Sequence, residues 1–150
     1  MTKCYQLRYA IQQLNACSLR TFHVGGDLTF DEGGIASRSR FNPVRQYNKD
    51  KPNKFRTDLF ICADAKSYQI YNIDVYHGRN PCEIDVHESI PSLPTTQKCV
   101  LNAMYQMGLD KNTAEGARHI ALDNRYQCPE LAYTLRERFY IYSTGTCKQN

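Results

Sequence analysis

Apolar residues first recur at helical spacing at Leu7, Ile11 and Leu14, which predicts an amphipathic helix over about 4–17. Gly25 and Gly26 break that pattern. From Asp27 to Glu32 the period changes to two, with Leu28 and Phe30 alternating with Thr29 and Asp31, as in a short half-buried strand. Gly33 and Gly34 are expected to end this strand or bulge it. A second strand is predicted over about 55–63, a turn over Asp64 to Ser67, and a third strand over about 68–76. Tyr71, Ile73 and Val75 share one face of the third strand. The short connection between the second and third strands predicts an antiparallel hairpin.

Pro81, Pro91 and Pro94 mark 78–94 as a loop. Thr95 or Thr96 is then placed to cap a helix reaching about Met107, with Val100, Met104 and Met107 as its apolar stripe and Gly108 as its stop. His119 to Asp123 reads as a short apolar strand. Pro129 suits the first turn of another helix, whose Leu131 and Leu135 face inward. A last strand is expected over about 140–146. The order is a helix followed by β-β-β-α-β-α-β. Three strands in a meander followed by helical crossovers predict a mixed sheet flanked by helices, an α/β fold with right-handed crossovers. A chain of 150 residues fits one such domain.

Composition narrows the class. Hydrophobic residues make up 41% of the chain, too many for a wholly disordered protein. No apolar run approaches the length needed to span a bilayer. The first twenty residues carry Lys3, Arg8 and Arg20 among glutamines and hold no secretory core, so an intracellular protein is expected. Seven cysteines lie at 4, 17, 62, 82, 99, 128 and 147. Their number is odd and no Cys-x-x-Cys occurs, which argues for reduced, mostly buried thiols and against a zinc site.

The formal net charge is +4, and its placement matters more than its size. Arg38, Arg40, Arg45, Lys49, Lys51, Lys54 and Arg56 are opposed within their stretch only by Asp50, so these nineteen residues carry +6. Charge alone leaves two readings open: a surface that meets a polyanion such as DNA, and a solvated loop.

Two aspartates sit at the ends of apolar runs, Asp31 after Leu28-Thr-Phe and Asp123 after Ile120-Ala-Leu. Hard divalent cations want oxygen ligands, and strands hold such ligands rigidly. Two metals held by carboxylates stabilise the entering and leaving oxygens of phosphoryl transfer. An aspartate at a strand exit is nevertheless more often a turn former or a helix cap.

The series of motifs says more than either aspartate. Residues 28–80 contain Asp31-Glu32, Arg38 to Arg40, Lys51-Pro-Asn-Lys54, Ala63-Asp64 and Tyr76-His-Gly78 in order. Residues 121–150 contain Asp123-Asn124, an aromatic at Tyr126 after Arg125, a proline-led helix and a Thr-Gly-Thr strand end. Together these resemble the catalytic core of piggyBac-type transposases, with the aromatic one place later than in the family pattern. The resemblance implies an RNase H-like fold and a DDE/DDD-type site. It makes Asp31 and Asp123 the first two catalytic, metal-binding aspartates, holding Mg²⁺ or Mn²⁺. It also implies DNA as partner, through Arg38, Arg40, Arg45, Lys49, Lys51, Lys54 and Arg56, and a nuclear location. Glu32 points to the opposite pleat face and is not expected to be a ligand. The family needs a third aspartate on a later helix, and the sequence reaches Asn150 before it. The family's cysteine-rich finger has no counterpart here, and Glu130 and Glu137 read as surface residues. The expectation is therefore a C-terminally incomplete domain that binds DNA or a protein, or itself through an exposed sheet edge, without full catalysis. The alternative is a fragment of an active, metal-dependent cut-and-paste transposase.

Overall fold

The computed structural model describes residues 5–76, 93–113 and 115–146, and the expected loop over 78–94 lies almost wholly outside them. Within these residues the order is α1 (Tyr5–Thr21), β1 (Asp27–Ala36), β2 (Gln46–Tyr47), β3 (Phe55–Asp64), β4 (Ile70–Val75), α2 (Thr95–Gln106), a 3-10 turn (Lys111–Thr113), β5 (Arg118–Leu122), α3 (Pro129–Phe139) and β6 (Ile141–Gly145). β3 pairs antiparallel with β1 and β4, while β5 runs parallel to β1 and β6 parallel to β5. β2 adds a two-residue pairing at the start of β3. The long strands therefore lie in the order β4-β3-β1-β5-β6. This is the mixed sheet that the sequence pattern predicts.

One face of the sheet carries the core. Leu28 and Phe30 of β1, Phe60 and Cys62 of β3, Ile120 and Leu122 of β5 and Ile141 of β6 are buried with Val100, Leu101 and Met104 of α2 and Leu131, Leu135 and Phe139 of α3. The helix stripes follow the expected spacing, because i, i+3 and i+4 positions share a face. Cys62 is wholly buried, and desolvation pushes its thiol up to about 12. The other face is open at its centre, where Asp31, His119, Ala121 and Tyr142 are exposed.

Three local readings are corrected. Gly33 and Gly34 neither end β1 nor bulge it, since its pairing with β3 runs unbroken from Leu28↔Asp64 to Ala36↔Arg56. Both glycines lie under side chains of β3. A Cβ on Gly33 would come within 2.6 Å of Ile61 Cδ1, and one on Gly34 within 3.0 Å of Arg56 Cδ. The cap of α2 is Pro94, with no side-chain hydrogen bond, not Thr95 or Thr96. Helix α1 extends to Thr21 and leaves Leu7 and Leu14 exposed.

That exposure follows from how α1 docks. Asn15 Nδ2 donates to the Ile73 carbonyl at 2.9 Å, and Asn15 Oδ1 accepts from the Ile73 amide at 3.0 Å. Ser18 Oγ donates to the Ile70 carbonyl at 2.5 Å. The helix thus satisfies backbone groups on the outer edge of β4, where a further strand would otherwise pair. The turn after β3 is built by Asp64, whose Oδ1 accepts from the Ser67 and Lys66 amides at 2.7 and 2.9 Å. The Ser67 amide, chiefly, holds this carboxyl below its ordinary range, against the effect of burial.

Candidate active site and nucleic-acid interface

The pairing of β1 with β5 brings the two aspartates together. The registered pairs run from Asp27↔His119 to Phe30↔Leu122, so Asp31 and Asp123 are the next residues on their respective segments. Phe30 and Leu122 are both buried, and strand alternation turns the residue after each to the open face. Asp31 and Asp123 are accordingly exposed. Neighbouring strands lie about 4.8 Å apart, a spacing that one hydrated divalent cation can bridge. Asp31 Oδ1 accepts from the Glu32 amide at 2.7 Å, and Asp123 Oδ1 from the Asn124 amide at 2.6 Å. Each carboxylate is thereby oriented by its own backbone and keeps a second oxygen for a ligand.

Glu32 has a different task. It points to the core side, where Tyr126 Oη donates to its Oε1 at 2.5 Å and Arg125 forms an ion pair with the same oxygen. Tyr126 is wholly buried and packs edge-on against Phe30, with ring centroids 5.1 Å apart. Burial, then the hydrogen bond to Glu32, pushes its phenol far up, so it remains a donor at neutral pH. The segment after Asp123 is closed as a turn, with the Tyr126 and Gln127 amides donating to the Asp123 carbonyl at 2.9 and 3.2 Å. Glu32, Arg125 and Tyr126 thus clamp this turn to β1 and hold Asp123 beside Asp31. Sequence reasoning placed Glu32 on the correct face but missed its partners. The available signal was an acid on a buried pleat face, which requires a donor.

On the other side of β5, Gly145 of β6 lies opposite Leu122, and a Cβ there would come within 2.3 Å of the Leu122 carbonyl oxygen. The glycine of the Thr-Gly-Thr motif is therefore required by close approach of β6 to the residue before Asp123.

A metal would need more than this pair. Among the described residues no group of three or more His, Cys, Asp or Glu side chains is placed to hold a metal. The donor chemistry of Asp31 and Asp123 suits a hard cation, and water would have to complete the coordination. Glu130 and Glu137 are on α3, where Glu130 is exposed near the Cys128 cap and Glu137 pairs with Lys111.

The basic segment joins β1 to β3 and includes β2. Arg38, Arg40, Lys49, Lys51 and Lys54 are exposed and Arg45 is half-buried. Arg56 pairs with Asp58 and is largely covered, so its charge is locally offset. The segment has internal order. Asn42 Nδ2 donates to Thr57 Oγ1 at 2.7 Å and to Ser37 Oγ at 2.9 Å, and Val44 is buried.

The mixed sheet thus places Asp31 within β1 and Asp123 just past the end of β5, on two adjacent parallel strands. A family model described as Transposase IS4 matches residues 1–150, and the chain belongs to that transposase family. Among solved structures, the chain is similar to a piggyBac transposase in a synaptic complex with hairpin DNA. The TM-score is 0.78 at 22% sequence identity, over 96% of this chain and 27% of that one. The chain thus spans about a quarter of the length of that relative, and the likeness shows the shared fold. No curated protein matches the sequence. Among the described residues no helix is long and apolar enough to cross a membrane.

Proposed function

We propose that this transposase-family domain binds DNA without sequence preference and, as this chain alone, does not cleave it. The observation that carries the reading is the pairing of an exposed cationic segment with an acid pair that has no third acid beside it among the described residues. Six cations from Arg38 to Lys54 face a single acid, Asp50. The segment begins where β1 ends, five residues past Asp31, which is about 17 Å along a strand. Duplex DNA carries a charge every ~1.7 Å of axis, so one duplex reaches from the basic segment to the carboxylates. The solved relative is itself a DNA complex, which supports DNA as the partner. On this reading the chain works where chromosomal DNA is, in the nucleus.

Asp31 and Asp123 are the residues that would hold Mg²⁺ or Mn²⁺. Such an ion would supply charge neutralisation at a phosphate oxygen. The chain's own part is to keep the two carboxylates on adjacent strands and open to solvent, and to anchor the phosphate backbone nearby. A second reading, an active transposase of which this chain is one portion, is favoured by the Glu32–Arg125–Tyr126 clamp. It holds the acid pair in register, which DNA binding alone does not require.

Titration of a labelled random-sequence duplex tests the proposal. Affinity is expected to fall steeply as salt rises, because each phosphate contact releases a counterion. Neutralising Arg38, Arg40 and Lys54 together is expected to abolish binding. Binding that ignores both salt and these substitutions would make the segment a solvated loop.

A further inference from the structure

We infer that the Tyr47–Phe55 ring pair, with Arg45 against it, is a base-stacking platform that makes the basic segment prefer unpaired DNA over duplex. The inference rests on the DNA-binding reading of the same segment and adds the form of DNA it selects.

Tyr47 of β2 and Phe55 of β3 are register partners across the short ladder, and their ring centroids lie 5.0 Å apart. Tyr47 is 61% exposed and Phe55 42% exposed. The Arg45 guanidinium sits 4.8 Å from the Phe55 ring centroid, and its Nη1 donates to the Arg38 carbonyl at 3.1 Å. A flat cation and two rings are thus held together on the surface by backbone pairing and a hydrogen bond. The same combination recurs earlier in the segment, where the Arg40 guanidinium lies 4.8 Å from the ring of Phe41, itself 81% exposed.

A cross-strand aromatic pair stabilises a hairpin, and that accounts for the contact between Tyr47 and Phe55. It does not account for the solvent exposure of these rings, nor for a second exposed ring under an arginine. Exposed aromatic rings among cations are the means by which proteins hold single strands. The cations follow the phosphates and the rings stack on bases, whose faces are open only when the bases are unpaired. In a duplex those faces are already stacked, so the rings have nothing to meet. Charge alone would produce the opposite preference, because the duplex has the higher charge density. A preference for the single strand therefore reports the rings.

The test is fluorescence anisotropy on the full chain at low salt, with a labelled oligo-dT of about 20 nucleotides and a random-sequence duplex of the same length. The wild type is expected to bind oligo-dT about tenfold more tightly than the duplex. Tyr47→Leu with Phe55→Leu keeps apolar bulk in the hairpin but removes both π faces. This double variant is expected to lose the preference while duplex affinity stays within about twofold. Tyr47→Phe is expected to retain the preference. Neutralising Arg38, Arg40 and Lys54 together should abolish duplex binding and weaken the oligo-dT complex, and a wild type that binds neither probe would overturn the DNA reading itself. Equal affinity for the two probes, a preference for the duplex, or a preference that survives the double leucine change would overturn the stacking platform alone.

Discussion

A single oxygen, Glu32 Oε1, ties the residue after the first aspartate to the turn that follows the second. Tyr126 and Arg125 lie 94 and 93 residues from it in sequence. No local pattern in the chain points across that separation. The alternation Leu28, Phe30, Glu32 shows which way Glu32 faces, but its partners depend on the parallel pairing of β1 with β5. The same holds for the aspartates. The sequence motifs single out Asp31 and Asp123, yet only the Phe30↔Leu122 pairing makes them neighbours. Tyr126→Phe is expected to destabilise the fold by about 1–3 kcal/mol in urea unfolding, since a half-buried carboxylate loses a donor. Amide exchange should also quicken over 123–127. Unchanged stability and exchange would mean that Arg125 holds Glu32 without help.

At the scale of elements, periodicity found nearly every strand and helix, and it failed where a polar group or a covering side chain decided the outcome. Gly33 and Gly34 look like a strand end because glycine weakens strands, but Ile61 and Arg56 cover the backbone there and the ladder continues. Leu7 and Leu14 look like a buried stripe, but α1 is oriented by Asn15 and Ser18 against the edge of β4. An asparagine that both donates to and accepts from one residue, Ile73, takes the outer edge of β4, where no neighbour strand pairs among the described residues. Helix α1 therefore covers this outer edge at Ile70 and Ile73. Asn15→Ala is expected to cost about 1–3 kcal/mol, because two backbone groups lose their partner. It should also raise self-association, measured by light scattering, as the strand edge opens. A variant as stable and as monodisperse as the parent would show that α1 docks by other contacts.

For the whole molecule, the proposal is that this transposase-family domain binds DNA through its basic segment and, as this chain alone, does not cleave it. Two carboxylates fix one cation loosely, whereas strand cleavage needs charge neutralised on both the entering and the leaving oxygen. Charge left unneutralised at that point costs several kcal/mol, which is orders of magnitude in rate. The most direct measurement is nicking of supercoiled plasmid by this chain in Mg²⁺ or Mn²⁺, with binding followed in parallel by gel shift. The plasmid should be retarded but not nicked above background. Asp31→Ala and Asp123→Ala should leave that background unchanged while weakening Mn²⁺ binding. Robust metal-dependent nicking that disappears in either variant would contradict the account, and would make Glu130 the first acid to test as the missing ligand.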